Sequence, residues 1–472
     1  MSESPNSMKR IKVIGGGLAG PEAALQAASL GCTVELYEMR PHRSTEAHQT
    51  SDFAELVCSN SLKSESENSA PWLLKQEMRQ AGSFLLQDAD ATAVPAGHAL
   101  AVDREAFSAR VAARIAAEPR ITVHRQEVTR LDEQDSSTLT ILASGPLTSA
   151  PLAAELQRLT GAEHLAFYDS ISPIVDASTI NMDRVYMAAR WDKGTADYIN
   201  CPFTKEEYER FLDALISAEE VESKAWEQLP PDDGALSTFS PQMSGSLPAK
   251  MTYFEGCLPI EETARRGRDT LRFGPMKPAG LTDPKTGKWP YAVVQLRQEN
   301  LRADSYNLVG FQNHLKYGEQ ARILRLIPGL ENATFLRYGQ IHRNTYIHAP
   351  TLLTETLQLR PHPAILIAGQ LSGVEGYTES IASGLLAGRF AAALARGISP
   401  IPAPRASANG SLMHYITHAE SRRFQPANIT FDLLPPLEEE LRKKIRDKKA
   451  RHKVQCDRAL AAWSDWMSAS KA

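Results

Sequence analysis

A glycine-rich turn near the amino end constrains the fold of this 472-residue chain more than any other feature. Residues 11–14 (IKVI) are typical of a short buried strand, and residues 15–20 (GGGLAG) follow with glycines at G-x-G-x-x-G spacing. Residues 21–30 predict a helix and residues 32–37 a second strand, which leads to Glu38. A strand, a glycine turn, a helix and an acidic residue about 20 positions on form the pattern of a dinucleotide-binding βαβ unit.

Each position of this motif has a physical task in the predicted unit. Gly15 allows a tight turn, Gly17 lets the backbone approach a pyrophosphate, and Gly20 lets the helix pack closely on the strand. The helix amino end offers free N–H groups and a positive dipole end to phosphates, and Glu38 can accept hydrogen bonds from the adenosine ribose. The alternative is a glycine turn without a ligand. The predicted binding residues are Gly15, Gly16, Gly17, Leu18, Ala19, Gly20 and Glu38.

A second strand–glycine loop–helix unit lies far along the chain. Residues 364–368 are an apolar strand, and residues 381–389 are a helix of small residues. Two such units suit one long cofactor, because the first can hold adenosine and pyrophosphate while the second closes over the ribityl chain and ring, which favours FAD over NAD. The alternative is a packing turn. The predicted contacts, with Glu375 in place of the usual Gly-Asp pair, are Gly369, Gln370, Gly373, Val374, Glu375, Gly376 and Tyr377.

These units predict an α/β fold in which an FAD-binding, doubly wound domain of the Rossmann type, similar to that of glutathione reductase, carries a smaller inserted α+β domain. Residues 1–192 and 331–436 are assigned to the FAD domain. Residues 193–330, with many short strands and turns, are assigned to the inserted domain on the substrate side. Residues 437–472 predict a basic helical tail.

Composition excludes several classes of protein. The five cysteines are widely spaced and form no C-x-x-C pair, which argues against zinc and against a disulfide framework and favours a reducing cytoplasm; no metal-binding residues are predicted. No run of 18 apolar residues predicts a membrane span. The net charge is −4, but residues 442–453 carry eight Lys/Arg against one Asp. That run is either a solvated helix face or a footprint for polyphosphate.

Four segments occur in this order along the chain: residues 15–24 (GGGLAGPEAA), 56–63 (LVCSNSLK), 254–261 (FEGCLPIE) and 368–377 (AGQLSGVEGY). Together they resemble the TrmFO family of folate- and FAD-dependent tRNA (uracil-5-)-methyltransferases, and the resemblance spans nearly the whole chain. The related MnmG family shares the FAD domain but has longer chains with a larger helical carboxyl region.

The resemblance implies that reduced FAD accepts a one-carbon unit from 5,10-methylenetetrahydrofolate, that NADH or NADPH supplies the electrons, and that C5 of a T-loop uridine becomes methylated to 5-methyluridine. The implied partners are the T-arm of tRNA and tetrahydrofolate species, with no membrane and no obligate protein partner. The target uridine would have to leave its stack to meet the flavin.

Two cysteines in these segments fit that chemistry. A thiolate that adds to C6 of uracil makes C5 nucleophilic. The resemblance makes Cys257 the expected nucleophile and Cys58 a second active-site thiol, which handles protons or forms an alternative covalent bond. Lys63 and the arginines of residues 265–268 are candidate cations for stabilising the thiolates. The alternative for each cysteine is a buried small hydrophobic residue.

Three other functions stay open. The same chemistry could act on a uridine of ribosomal RNA. The two glycine loops alone also fit a small-molecule FAD oxidoreductase without an RNA partner, although that leaves residues 56–63 and 254–261 unexplained. A non-catalytic RNA-binding flavoprotein would keep its function when Cys257 is replaced by alanine.

Overall fold

The computed structural model describes residues 8–45, 47–132, 135, 137–161, 165–193, 195–221, 258–339, 341–421 and 424–470. Its strands are β1 (Arg10–Ile14), β2 (Val34–Glu38), β3 (Ser61–Ser64), β4 (Ala93–Val94), β5 (Ala99–Val102), β6 (Ile121–Arg125), β7 (Thr138–Leu142), β8 (Leu165–Ser170), β9 (Ile174–Asp176), β10 (Tyr186–Met187), β11 (Tyr198–Phe203), β12 (Ala292–Gln298), β13 (Ser305–Leu308), β14 (Phe335–Arg337), β15 (Ile341–Tyr346), β16 (Gln358–Leu359) and β17 (His362–Ile367).

Helices alternate with these strands in the first and last parts of the chain. They are α1 (Ala19–Ser29), α2 (Ala70–Gln80), α3 (Phe84–Ala91), α4 (Arg104–Ala117), α5 (Ala150–Thr160), α6 (Lys205–Ile216), α7 (Ile260–Arg265), α8 (Thr270–Phe273), α9 (Tyr317–Leu324), α10 (Ala349–Leu352), α11 (Tyr377–Ala395), α12 (Ala408–His418), α13 (Glu439–Lys444) and α14 (Lys448–Ala469). No helix among the described residues combines the length and the apolar character that crossing a bilayer requires.

The first sheet is the predicted dinucleotide-binding sheet. Its strand order is β16-β17-β7-β1-β2-β6, and every pair is parallel except the edge pair β16–β17. Ile11 and Val13 of β1 are fully buried, as expected for the central strand. Helix α1 packs against α11, where Cβ atoms on Gly384 and Gly388 would overlap the backbone of Ala19 and Ala23. The α/β fold with a parallel sheet is therefore confirmed.

The second sheet is antiparallel, with strand order β10-β11-β12-β13-β9-β14, and it has its own core. Helix α6 packs on it and begins in a capping box between Thr204 and Glu207. Three of its strands lie outside residues 193–330, namely β9, β10 and β14. A two-stranded ribbon of β8 and β15 carries the chain into and out of this part. We therefore propose that the insert lies between β8 and β15, a wider span than 193–330.

Two further segments differ in detail from the sequence expectation. Residues 40–67, in which the sequence predicts no strand, contain β3, which pairs with β5. Strand β3 (SLKS) has no apolar alternation, so no hydrophobic pattern reveals it. The predicted basic tail is helical over α13 and α14, but α14 is not only a charged surface helix. Trp463 and Cys456 on α14 are fully buried, and the helix packs on α2.

Candidate active site

A cleft runs along the carboxyl ends of β1, β2, β7 and β17, which is where ligands bind in open α/β sheets. The predicted binding residues that line it are Gly15, Gly16, Gly17, Leu18, Ala19, Glu38, Gly369, Gln370 and Tyr377. Gly20, Gly373, Val374, Glu375 and Gly376 do not line it. Several further residues line the cleft between the two glycine loops without a sequence pattern that marks them, among them Arg40, His48, Gln126 and Thr148.

The first glycine loop has the form that a pyrophosphate site needs. Gly15 has φ +117°, and a Cβ there would overlap the Ala143 carbonyl. A Cβ on Gly20 would overlap the Gly15 carbonyl, so Gly20 serves helix–strand packing. A Cβ on Gly17 would meet no protein atom within 4 Å. The loop is thus tight on its protein side and open at Gly17, and this concave backbone fits the diphosphate of a dinucleotide.

Glu38 lies where the strand pattern places it, at the end of β2, and is buried. Its Oε2 accepts a hydrogen bond of 2.8 Å from the Gly16 N–H, and its Oε1 accepts bonds of 2.9 Å from the Arg40 N–H and from Arg40 Nε. Burial alone would raise the pKa of Glu38, but the bonds from Arg40 and Gly16 hold it below its usual value. The carboxylate therefore stays charged and fixes the glycine loop.

The second glycine loop is shaped by packing as much as by the cleft. Gly373 has φ +91°, and a Cβ there would meet the Phe424 ring at 2.5 Å. Val374 is fully buried. Glu375 Oε2 accepts a hydrogen bond of 2.7 Å from Gln370 Nε2, and Gly376, with φ +107°, stands immediately before α11. Gln370 and Tyr377 are the side chains of this loop that reach the cleft.

Tyr377 joins this loop to the Cys58 segment. Its Oη accepts hydrogen bonds from the backbone N–H groups of Cys58, at 2.7 Å, and Ser59, at 3.3 Å. Burial raises the pKa of Tyr377, so the phenol is neutral. Val57 lines the cleft, and Cys58 is half-buried beside it. Two of the four resembling segments, 56–63 and 368–377, therefore meet at the cleft.

The Cys58 segment is also fastened to the inserted domain. Arg104 donates to the carbonyl oxygens of Leu56 and Cys58, the latter at 3.3 Å, and forms a 2.5 Å ion pair with Glu299. Two residues farther on, Asn60 Oδ1 accepts a 2.9 Å bond from Arg297 Nε.

The side-chain amide nitrogen of Asn60 makes further bonds that attach the Cys58 segment to its neighbours. This Nδ2 donates to the Val102 carbonyl at 3.0 Å and to the Gln298 carbonyl at 2.9 Å. A fully buried amide whose oxygen and nitrogen are both bonded leaves the strand little freedom. The cysteine segment is therefore held between the FAD domain and β12 of the insert.

Lys63, the candidate cation nearest to Cys58 in sequence, is not the cation that interacts with its thiol. Lys63 turns away to pair with Glu379 at 2.7 Å. Instead, Arg104 and Arg337 interact electrostatically with the Cys58 thiol. Burial would lower the pKa of Arg104, but Glu299 raises it above its usual value and keeps the guanidinium charged. Arg104 stands directly after the helix-capping Asp103, a position where sequence patterns reveal no link to a cysteine 46 residues away.

Cys257 lies outside the described residues, as do residues 254–256 of its segment. The chain resumes at Leu258, and the Ile260 N–H donates to the Gln312 carbonyl at 2.8 Å. Of the arginines in 265–268, Arg265 pairs with Glu262 and Glu220, and Arg268 pairs with Asp213 and Glu209. These partners offset the positive charge that the sequence suggested for the thiol.

Beside this segment lies a buried histidine with two carboxylates. His314 Nδ1 is 2.7 Å from Glu261, and His314 Nε2 is 2.8 Å from Glu220. Burial would lower the pKa of His314, but the two carboxylates raise it to about 9. His314 is thus an imidazolium at neutral pH, and it anchors the start of α7.

Cys32 and Cys201 are buried like small hydrophobic residues, and burial raises the pKa of both thiols. Cys456 is buried in α14, and burial raises its pKa to about 12. One group of described residues, Glu355, His414 and His418, brings possible metal ligands within 4.8 Å. The two imidazoles stack with centroids 4.3 Å apart, and His414 Nδ1 is 2.9 Å from Glu355 Oε1. We assign no metal there.

Comparison with known proteins gives a consistent result. A family model described as Glucose inhibited division protein A matches residues 10–399. The relative "Methylenetetrahydrofolate--tRNA-(uracil-5-)-methyltransferase TrmFO" of Koribacter versatilis is 66% identical over 462 residues, which cover 98% of this chain and 99% of the relative. The protein of the same name from Solibacter usitatus is 58% identical over 465 residues, with 98% and 99% covered. Aquifex aeolicus GidA, in its form II crystal, shares the fold at a TM-score of 0.66 and 16% identity, covering 97% of this chain and 74% of that one.

Proposed function

Because this chain belongs to the TrmFO family, we propose that it methylates C5 of a uridine in tRNA, with 5,10-methylenetetrahydrofolate as the one-carbon donor. The observation that carries the proposal is the contact between Tyr377 and the backbone of Cys58, because it joins the FAD-type cleft to a cysteine segment. A small-molecule FAD oxidoreductase would need the cleft but not a cysteine segment held beside it. We further propose that the target uridine lies in the T-arm, that no protein partner is required, and that the enzyme works in the cytoplasm.

The residues of the cleft would hold FAD in an extended form. The N–H groups around Gly17 and the amino end of α1 would bind the pyrophosphate. Glu38, whose two oxygens accept four hydrogen bonds from Gly16 and Arg40, would keep the loop in place at the ribose end. Gln370 and Tyr377 would face the other end of the cofactor. When bound, the flavin would supply the redox chemistry of one-carbon transfer and reduction, with NADH or NADPH as the source of electrons.

The chain's own contribution would be covalent activation of uracil. A cysteine thiolate adds to C6, and C5 becomes an enolate carbon that attacks the electrophilic methylene carbon. The C5 proton is then lost and the methylene carbon leaves its nitrogen carrier. A two-electron reduction, with electrons that come ultimately from NADH or NADPH, converts the methylene to methyl, and expulsion of the thiolate from C6 restores the ring. We keep Cys257 as the nucleophile and Cys58 as the second thiol. Arg104 and Arg337 would favour the thiolate of Cys58, and the bonds to Tyr377 and Arg104 would fix its position.

Nucleoside analysis tests this function. The protein, loaded with FAD, is incubated with NADPH and methylenetetrahydrofolate on a T-arm transcript and, separately, on a ribosomal RNA fragment. We expect 5-methyluridine in the T-arm transcript, and none in a matched transcript whose target uridine is replaced by cytidine. Product in the ribosomal fragment alone would move the reaction to ribosomal RNA. Oxidation of NADPH without product in either RNA would contradict an RNA-methylating function.

A further inference from the structure

Two tryptophans of the inserted part stand side by side on the surface. Trp191 is 54% exposed and Trp289 is 50% exposed. Their rings meet edge to face, with centroids 5.3 Å apart and an interplanar angle of 83°. Neither indole belongs to a hydrophobic core cluster of the described residues. Core packing therefore does not account for them.

The backbone is arranged to hold the first of these rings. Trp191 has φ +61° and ψ +25°, a left-handed conformation that bulky residues rarely adopt. Its N–H donates a hydrogen bond of 2.6 Å to the Gly280 carbonyl. Its indole packs so closely on Gly280 that a Cβ atom added there would be 2.6 Å from the ring. Strained residues of this kind persist where the surrounding structure over-determines them, and they cluster at functional positions.

The surroundings of the pair are positively charged although the whole chain carries −4. Lys193 lies two residues after Trp191, Lys288 directly precedes Trp289, and Lys285 belongs to the same turn. Lys277 is close as well, because its carbonyl accepts a 3.0 Å bond from Arg190. All four lysines are exposed. The acids on these stretches are fewer than the cations. Asp192, between Trp191 and Lys193, is exposed, and Asp283 is buried within its turn. The Lys285 ammonium also donates to the Asp183 carbonyl.

We propose that these six residues form a platform that binds RNA, with an unpaired base stacked on the tryptophans and the lysines against the phosphates. We call Trp191, Trp289, Lys193, Lys277, Lys285 and Lys288 the tryptophan platform. Base–indole stacking combined with lysine is the usual means of holding single-stranded nucleic acid, and specific RNA recognition targets unstacked loop bases. The inference rests on the proposed function and adds a second RNA contact outside the cleft.

The platform is rigidly linked to the cysteine segment. Trp191 and Lys193 precede β11, and the other four residues of the platform precede β12. Tyr198 of β11 donates from its hydroxyl to the Ala96 carbonyl at 3.2 Å. Tyr198 also pairs with Arg297 across the sheet, and Arg297 holds Asn60 in the Cys58 segment. RNA bound on the platform would therefore keep a fixed distance from the active site, which is the use of a positioning contact.

Equilibrium binding of a fluorescent tRNA transcript to the FAD-loaded protein tests the proposal. Trp191→Gly removes the indole, and glycine adopts the left-handed backbone at this position without strain. Together with Trp289→Ala it removes the pair. Each lost ring should raise Kd about fivefold or more, the lower limit for a stacked base. The double variant should raise KM for tRNA and leave kcat at saturating tRNA unchanged, and Trp289→Phe should keep most of the affinity.

Ile398→Ala, which removes an exposed apolar side chain from the turn after α11, is the matched control and should bind as wild type. Lys285→Gln with Lys288→Gln should make the salt dependence of log Kd shallower by about 1.5–2. An unchanged Kd in the double tryptophan variant overturns the platform, even where wild type forms 5-methyluridine. A double variant that binds RNA normally but no longer self-associates would assign the pair to contact between two copies of the chain. Failure of wild type to methylate any RNA counts against the proposed function, and the Kd comparison still decides the platform.

Discussion

The Tyr377 hydroxyl accepts a 2.7 Å hydrogen bond from the backbone N–H of Cys58, across 319 positions of sequence. Tyr377 thus lines the cleft beside the second glycine loop and also fixes the position of the Cys58 backbone. Tyr377→Phe removes the acceptor and leaves the Cys58 and Ser59 N–H groups without it. We expect kcat for methylation to fall about tenfold, equivalent to about 1.4 kcal/mol, while the bound FAD measured by absorbance stays near wild type.

Tyr415→Phe is the control for that change. Its hydroxyl donates to the exposed Gln425 carbonyl at 3.1 Å, away from Cys58. An equal loss of kcat in both variants, or none in Tyr377→Phe, would show that the contact does not position the cysteine.

The two ends of the first glycine motif should respond differently to one added methyl group. Gly17→Ala places a Cβ in open space, so the free energy of unfolding of the FAD-free protein should change by less than about 0.5 kcal/mol. FAD affinity should fall at least tenfold, because the methyl group occupies the approach of the pyrophosphate. Gly20→Ala forces a Cβ onto the Gly15 carbonyl and should destabilise the FAD-free protein itself.

Thermal unfolding with and without FAD separates these effects. Gly17→Ala should keep its FAD-free Tm and lose most of the stabilisation that FAD adds. A Gly17→Ala protein that binds FAD as tightly as wild type would remove the pyrophosphate from this loop.

The buried pair of Arg104 and Glu299 should matter more for stability than a surface pair. Glu299 has only 5% of its side chain exposed, so Glu299→Ala leaves the Arg104 charge without its partner and should lower the free energy of unfolding by about 3–5 kcal/mol. Asp304→Ala, which breaks the exposed pair with Arg302, should cost less than about 1 kcal/mol. Denaturant unfolding measures both, and similar losses would contradict the assigned burial.

The His314 cluster predicts a stability that depends on pH. The pKa of His314 is raised to about 9 from an ordinary 6.5, so its stabilising effect is complete below pH about 6.5 and is lost as pH rises toward 9. The pKa of Glu220 is lowered to about 2, so the contribution of its charge to stability is lost only in strong acid. Wild type should lose on the order of 2–3 kcal/mol between pH 6.5 and 9 relative to His314→Gln. If the free energies of unfolding of wild type and His314→Gln changed in parallel with pH, a charged His314 would be excluded.

The sequence predicts those parts of the site that are local in the chain. The first βαβ unit, the position of Glu38 at the end of β2 and the second glycine loop can all be read from neighbouring residues. The parts it misses depend on distant contacts. Arg104 and Glu299 are 195 positions apart, and Lys63 points to Glu379 instead of the thiol because a fully buried carboxylate needs a cation. The edges of the proposed insert, from β8 to β15, are not local features either, since short strands such as β10 are defined by pairing and not by their own pattern.

The most direct test of the central claim is the origin of the methyl carbon. Wild type, Cys257→Ala and Cys58→Ala, each loaded with FAD, are given NADPH, a T-arm transcript and methylenetetrahydrofolate labelled in its one-carbon unit. We predict label in 5-methyluridine with wild type and none with Cys257→Ala. Label with both would keep the reaction and remove Cys257 as nucleophile. Unlabelled 5-methyluridine, or no 5-methyluridine from a yellow, FAD-loaded wild type, would contradict the account.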